Sequence, residues 1–117
     1  MLTVRTLFSE FKIDNSKEYA IYEESYKANY LGEPLDPNSE EVKAGKCYDY
    51  GNIFFVTETK KYIIPRVYCA YDWVAQLLDF IDSKQKDEDV FVDMNSLAQL
   101  GDGYKDFDCG QVRVECI

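Results

Sequence analysis

Hydrophobic and polar positions alternate at the start of the chain. Leu2, Val4, Thr6 and Phe8 interleave with Thr3, Arg5 and Leu7, which predicts a first strand. From Ser16 to Leu31 the spacing changes, and the stretch YAIYEESYKANY places tyrosines at 19, 22, 26 and 30. Asn15 followed by Glu18 resembles a capping box, and Gly32 with Pro34 is a stop signal, so this segment predicts a helix. On a helical wheel the four tyrosines share an arc of roughly 80°, while Ala20, Ile21, Ala28 and Leu31 form a separate apolar sector. The rings therefore either build the core or face outward; a short strand over Glu18–Tyr22 is a third reading.

GEPLDPNSE is a proline-bearing loop, and the residues after Asn38 have room for one or two helical turns before Gly45. Ile53–Thr57 and Tyr62–Ile64 are apolar, β-branched runs around a polar link. They predict a hairpin whose second strand is closed or bent by Pro65. Ala70–Lys84 has the clearest helical period. Ala70, Trp73, Val74, Leu77, Leu78, Phe80 and Ile81 fall on one half of the wheel, with Asp72, Gln76, Asp79, Asp82 and Ser83 on the other. KQKDED is a charged turn, Val90–Val92 a short strand, NSLAQL a brief helix, and GDGYKDFDCG a loop. Gln111–Ile117 alternates again and predicts a closing strand with one buried face. The expected fold is a single α+β domain over 1–117, a mostly antiparallel sheet of about five strands with two main helices packed on one side.

Composition narrows the function. With 46% hydrophobic and 15% aromatic residues, the chain can fold around a core. No apolar run approaches the ~18 residues that span a bilayer, and the first residues do not read as a secretory signal. Cys47, Cys69, Cys109 and Cys116 form no Cys-x-x-Cys pair, so they are expected to be reduced, mostly buried small hydrophobes in a cytoplasmic protein.

The formal charge of −9 is uneven: residues 10–41 and 79–108 each carry −6, and residues 42–78 carry +2. Nucleic acid and anionic membranes call for a basic surface, so neither is an expected partner. A basic protein is, because complementary fields speed encounter and reject wrong partners.

Catalytic chemistry has few supports. With no histidine, the chain lacks Ser-His-Asp and Cys-His arrangements and a neutral-pH imidazole base. The scattered cysteines give no zinc spacing, the Asp102–Asp108 region fits no calcium-loop frame, and no phosphate loop occurs. No metal, cofactor or enzymatic activity is expected. Two surfaces remain as partner-binding candidates: Tyr22, Tyr26 and Tyr30, and the acids Asp72, Asp79, Asp82, Asp87, Glu88 and Asp89.

Tyrosine joins a rigid apolar body to a wet hydroxyl, which suits binding surfaces. Asp79 and Asp82 oppose the dipole near the end of their helix, so local stability does not explain them. These features point to an acidic, non-catalytic inhibitor of a basic partner, specifically an immunity protein neutralising a nuclease-type toxin. The alternatives are a nucleic-acid mimic of the anti-restriction or anti-CRISPR kind and a small adaptor domain of a larger assembly. Thirteen bases against 22 acids make the mimic less suitable.

Overall fold

The computed structural model describes residues 1–6, 9–68, 73–85, 88–94 and 111–117. Its elements in chain order are β1 (Leu2–Arg5), β2 (Glu10–Ile13), β3 (Ala20–Ala28), α1 (Glu40–Lys43), β4 (Tyr48–Val56), β5 (Lys60–Tyr68), α2 (Trp73–Asp82), β6 (Val90–Asp93) and β7 (Arg113–Cys116). The strands form two sheets. Sheet A has the order β2-β1-β6, and sheet B the order β3-β4-β5-β7. This overturns the expected fold of about five strands and two main helices: seven strands in two sheets dominate the described residues, and only α2 exceeds a single turn.

The largest correction concerns Ser16–Leu31. It is not a helix; Ala20–Ala28 pairs antiparallel with Tyr48–Val56 in unbroken register, from Ala20↔Val56 to Ala28↔Tyr48. The segment is rich in Ala, Glu and Lys, which favour helix weakly, and nine residues of ladder beside an apolar strand outweigh that preference. Asn15 caps no helix. It is buried, and its side-chain amide donates to the Glu88 carbonyl at 2.8 Å.

In sheet A, β1 lies between an antiparallel neighbour (Leu2↔Ile13, Val4↔Phe11) and a parallel one (Leu2↔Val90, Val4↔Val92). The strand expected to continue through Phe8 ends at Arg5. Thr6 then turns the chain, donating its amide to the Ser9 carbonyl at 2.8 Å.

In sheet B, the β4–β5 hairpin is longer than the apolar runs indicated. It closes at Thr57, whose amide donates to the Lys60 carbonyl at 2.8 Å. Pro65 does not stop β5. The register slips between Gly51 and Ile53, Arg66 takes φ 56°, and the strand continues to Tyr68. An irregularity of this kind accommodates a residue lacking an N–H.

One apolar cluster joins the two sheets and α2. It includes Leu2, Val4, Phe11 and Ile13 from β1 and β2, Ile53, Phe55, Tyr62 and Ile64 from β4 and β5, Leu77 and Ile81 from α2, and Val90 and Val92 from β6. Phe11 stacks on Tyr62 with centroids 4.3 Å apart and meets Phe55 edge-on at 5.4 Å, so aromatic contacts tie sheet A to sheet B. On α2, Leu77 and Ile81 are buried as the wheel predicts, whereas Phe80 is exposed beneath the Lys84 ammonium.

Two further expectations are corrected. Cys116 is exposed and Cys47 only half-buried, and β7 is exposed along its length, so of the alternating apolar positions in Gln111–Ile117 only Val112, just before the strand, packs on the core. The NSLAQL helix, the 101–110 loop, Cys69 and Cys109 lie outside the described residues.

Candidate functional site

Alternation along β3 separates its side chains into two sets. Tyr22, Glu24, Tyr26 and Ala28 occupy one face of sheet B, and Ile21, Glu23, Ser25 and Lys27 the other. Ile21 packs on the main core, as does Tyr19 just before the strand. The outer face therefore carries Tyr22 and Tyr26, opposite their ladder partners Phe54 and Tyr50.

Tyr22 lies flat on Phe54, with centroids 4.7 Å apart and planes 14° from parallel, yet keeps 39% of its surface exposed. Phe54 is buried, with the Lys61 ammonium 4.7 Å from its ring centre. Such a pair contributes about 0.5–1.5 kcal/mol beyond its buried area and biases the Tyr22 ring toward this stacked pose.

Tyr26 is half-buried. Its ring sits beside Tyr50, and its hydroxyl donates to the Gly32 carbonyl at 3.2 Å. The Tyr50 hydroxyl donates to the Tyr30 carbonyl, also at 3.2 Å. These two tyrosines thus hold the turn after β3. The Asn29 side chain shapes the same turn by accepting from the Leu31 and Glu33 amides at 2.9 and 3.0 Å. Tyr30 and Leu31 project from its tip, both largely exposed. The question of inward or outward rings has a divided answer: Tyr19 joins the core margin, Tyr26 braces a turn, and Tyr22 and Tyr30 present surface.

The acids fall elsewhere. Asp79 and Asp82 are exposed on α2, Glu88 and Asp89 are exposed before β6, and the Asp89 carboxylate lies 3.2 Å from the Met1 amino group. Asp72 and Asp87 lie outside the described residues. Because α2 packs through Leu77 and Ile81 onto the core that also receives Ile21, these acids do not share a flat surface with Tyr22. The two candidate sets flank β3 from opposite sides, and β3 is an edge of sheet B.

Burial, and secondarily the Asp82 charge, hold the Tyr19 phenol above its usual range. The fold therefore favours the neutral phenol, and this stabilisation is complete below pH 10.0 and is lost as pH rises through the folded-state value. In a difference titration against Tyr19→Phe, the missing phenol is expected to be a late-ionising one. Asp82→Asn should move its midpoint down.

Glu23 and Glu24 were not among the candidates drawn from the sequence. Both are exposed, and neither has a cationic partner among the described residues. By contrast, Lys27 on the same strand is paired with Asp49 directly across the ladder.

The cavities are shallow and mixed in charge. One of about 250 Å³ is lined by Lys12, Asp14, Lys17, Glu18, Lys60 and Tyr62 among others. Hydrogen bonds from the Ser16 side chain and amide keep the Asp14 carboxyl below its usual range, which fits a turn anchor. A second, of about 300 Å³, lies between Asn15, Tyr19, Ile81 and Asp82. Among the described residues no group of three acidic or cysteine side chains is placed to hold a metal ion, and no helix is long and apolar enough to cross a membrane. Comparison of the chain with family models, curated proteins and solved structures returns no match.

Proposed function

We propose that this chain is a non-catalytic inhibitor that covers a basic protein, and that the partner is a nuclease-type toxin neutralised in the cytoplasm by an immunity protein of this kind. A nuclease must present a basic surface to hold nucleic acid, and the −9 chain supplies the complementary field. The observation that carries the reading is Tyr22: a ring stacked on Phe54, still substantially exposed, on the same face as Glu24, which has no cationic partner among the described residues. A ring ordered before binding loses little entropy on docking, which is the property of an interface anchor.

The test begins with capture of the partner on the native chain, followed by association kinetics at several salt concentrations. Asp79→Lys with Asp82→Lys should slow association by about tenfold at low salt, with little change in melting temperature. Tyr22→Ala should chiefly speed dissociation, raising Kd by at least about tenfold. Unaltered association in the first variant together with unaltered Kd in the second would remove the reading. Turnover of a substrate by the purified chain would do so independently.

A further inference from the structure

The free side of β3 has a definite hydrogen-bonding polarity. After β3 the chain folds back, and Ala28 and Pro34 form a short antiparallel bridge. There the Leu35 amide donates to the Lys27 carbonyl at 2.9 Å, and the Asn29 amide donates to the Glu33 carbonyl at 2.9 Å. Lys27 and Asn29 thus turn their backbone groups away from β4. Because β3 pairs with β4 without a bulge, the same direction holds at every second residue: Ser25, Glu23 and Ile21.

None of these three donates or accepts a backbone hydrogen bond outside the ladder among the described residues. The returning chain turns at Asp36–Ser39, so among the described residues the place of a fifth strand is filled opposite Lys27–Asn29 and no strand pairs opposite Ile21–Ser25. Unpaired edges of this kind are templates for another strand.

Charge selects the occupant. Glu23 and Glu24 are adjacent, so their carboxylates lie on opposite faces of the sheet and flank any added strand from both sides. Neither has a cationic partner among the described residues. A second copy of this chain is a poor match in the registers centred on the acids. Antiparallel self-pairing centred on Ile21–Ser25 sets Glu23 opposite its own copy, and the register centred on Glu24 does the same for Glu24; like charges directly opposite are destabilising. On the outer face, Tyr22 offers an incoming side chain an apolar surface beside the acids.

We propose that β3 accepts an extended segment of a basic partner as an added strand of sheet B, with adjacent Lys or Arg side chains meeting Glu23 and Glu24 and the backbone pairing with Ile21, Glu23 and Ser25. This rests on the inhibitor reading for the nature of the partner and adds the mode by which it is held. The acids of α2 and the outer-face tyrosines then flank the same bound segment.

The probe is a capped peptide, Val-Thr-Lys-Arg-Val-Thr-Val, titrated into the full chain at up to millimolar concentration while amide exchange is followed by NMR. The Ile21, Glu23 and Ser25 amides should gain protection. Two N-methylated isomers, identical in charge and methylated on alternate residues, should then differ: one binds like the parent, the other at least about tenfold more weakly, because its edge-facing donors are gone. Ser25→Pro removes an outward N–H without touching the β4 ladder, and should weaken the peptide by a similar factor. Glu23→Lys with Glu24→Lys should abolish binding.

If both isomers bind equally, or the three amides stay unprotected while salt-sensitive shifts appear at Asp79, Asp82 or Glu88, strand addition is overturned and the charge-based reading stands. If the peptide binds nowhere and the captured partner ignores every charge reversal, both fall. Concentration-dependent protection of the three amides without peptide would overturn the basic occupant in favour of self-pairing.

Discussion

Phe55→Ala is expected to lower the free energy of unfolding by about 3–5 kcal/mol, a large fraction of the ~5–15 kcal/mol that holds a domain of ordinary size. Phe55 is fully buried at the centre of the shared cluster, and its ring is one of the contacts between sheet A and sheet B through Phe11. Removing it leaves a cavity that several β-strands must collapse to fill, and strands held in register on both sides yield little. Urea denaturation should show a lower midpoint with an unchanged slope. Tyr22→Ala makes an informative comparison on the opposite face of the sheet. Its ring is partly in water already, so its loss should cost about 1–2 kcal/mol, less than Phe55 by a clear margin. Equal costs at the two sites would mean that the outer face is as much a core as the inner one.

Gly32→Ala should cost about 2–3 kcal/mol and lower the melting temperature by ~10 °C. Two effects combine. Gly32 has φ 82°, a conformation that disfavours any Cβ, and a Cβ built there lies 3.0 Å from Cε2 of Tyr50. That ring is buried and its hydroxyl is engaged with the Tyr30 carbonyl, so it cannot swing aside without breaking the turn. Gly45 provides the control. It follows α1 at φ 73° with no atom within 4 Å of the position a Cβ would take, so Gly45→Ala carries the dihedral penalty of about 1 kcal/mol alone. The difference between the two variants measures the steric part. Equal melting temperatures would show that Tyr50 moves freely.

These positions also show what could be read from the chain. Tyr22 and Tyr26 share a face whether the segment is helix or strand, because a spacing of four is close to one helical turn and is also even. Their grouping was therefore legible although their secondary structure was not. Tyr19 separates the two cases: odd spacing sends it to the other side of a strand, where it meets the core. Nothing in YAIYEESYKANY announces nine residues of ladder, since the stretch has one β-branched residue and its pairing partner lies some thirty residues on.

The second strand was legible and overlooked. Glu10, Phe11, Lys12 and Ile13 alternate cleanly, but four residues beside a turn carry little weight until a neighbouring strand supplies hydrogen bonds. The faces of α2 were read correctly at Leu77 and Ile81, where a helix on a sheet buries one stripe, and not at Phe80. The open side of β3 was beyond reach, because strand order is a property of the assembled sheet and leaves no local pattern in the residues.

Strand β1 occupies the middle of sheet A, and one of its neighbours, β6, begins 88 residues after it. On the ribosome, Leu2–Arg5 can zip only to Glu10–Ile13, and the half-built sheet must wait for almost all the intervening chain to be synthesised. Such distant parallel pairing makes folding a late and slow event, on the millisecond-to-second scale of high contact order. A truncation that removes Val90–Asp93 should therefore leave a nascent species recognised by chaperones, not a smaller native protein.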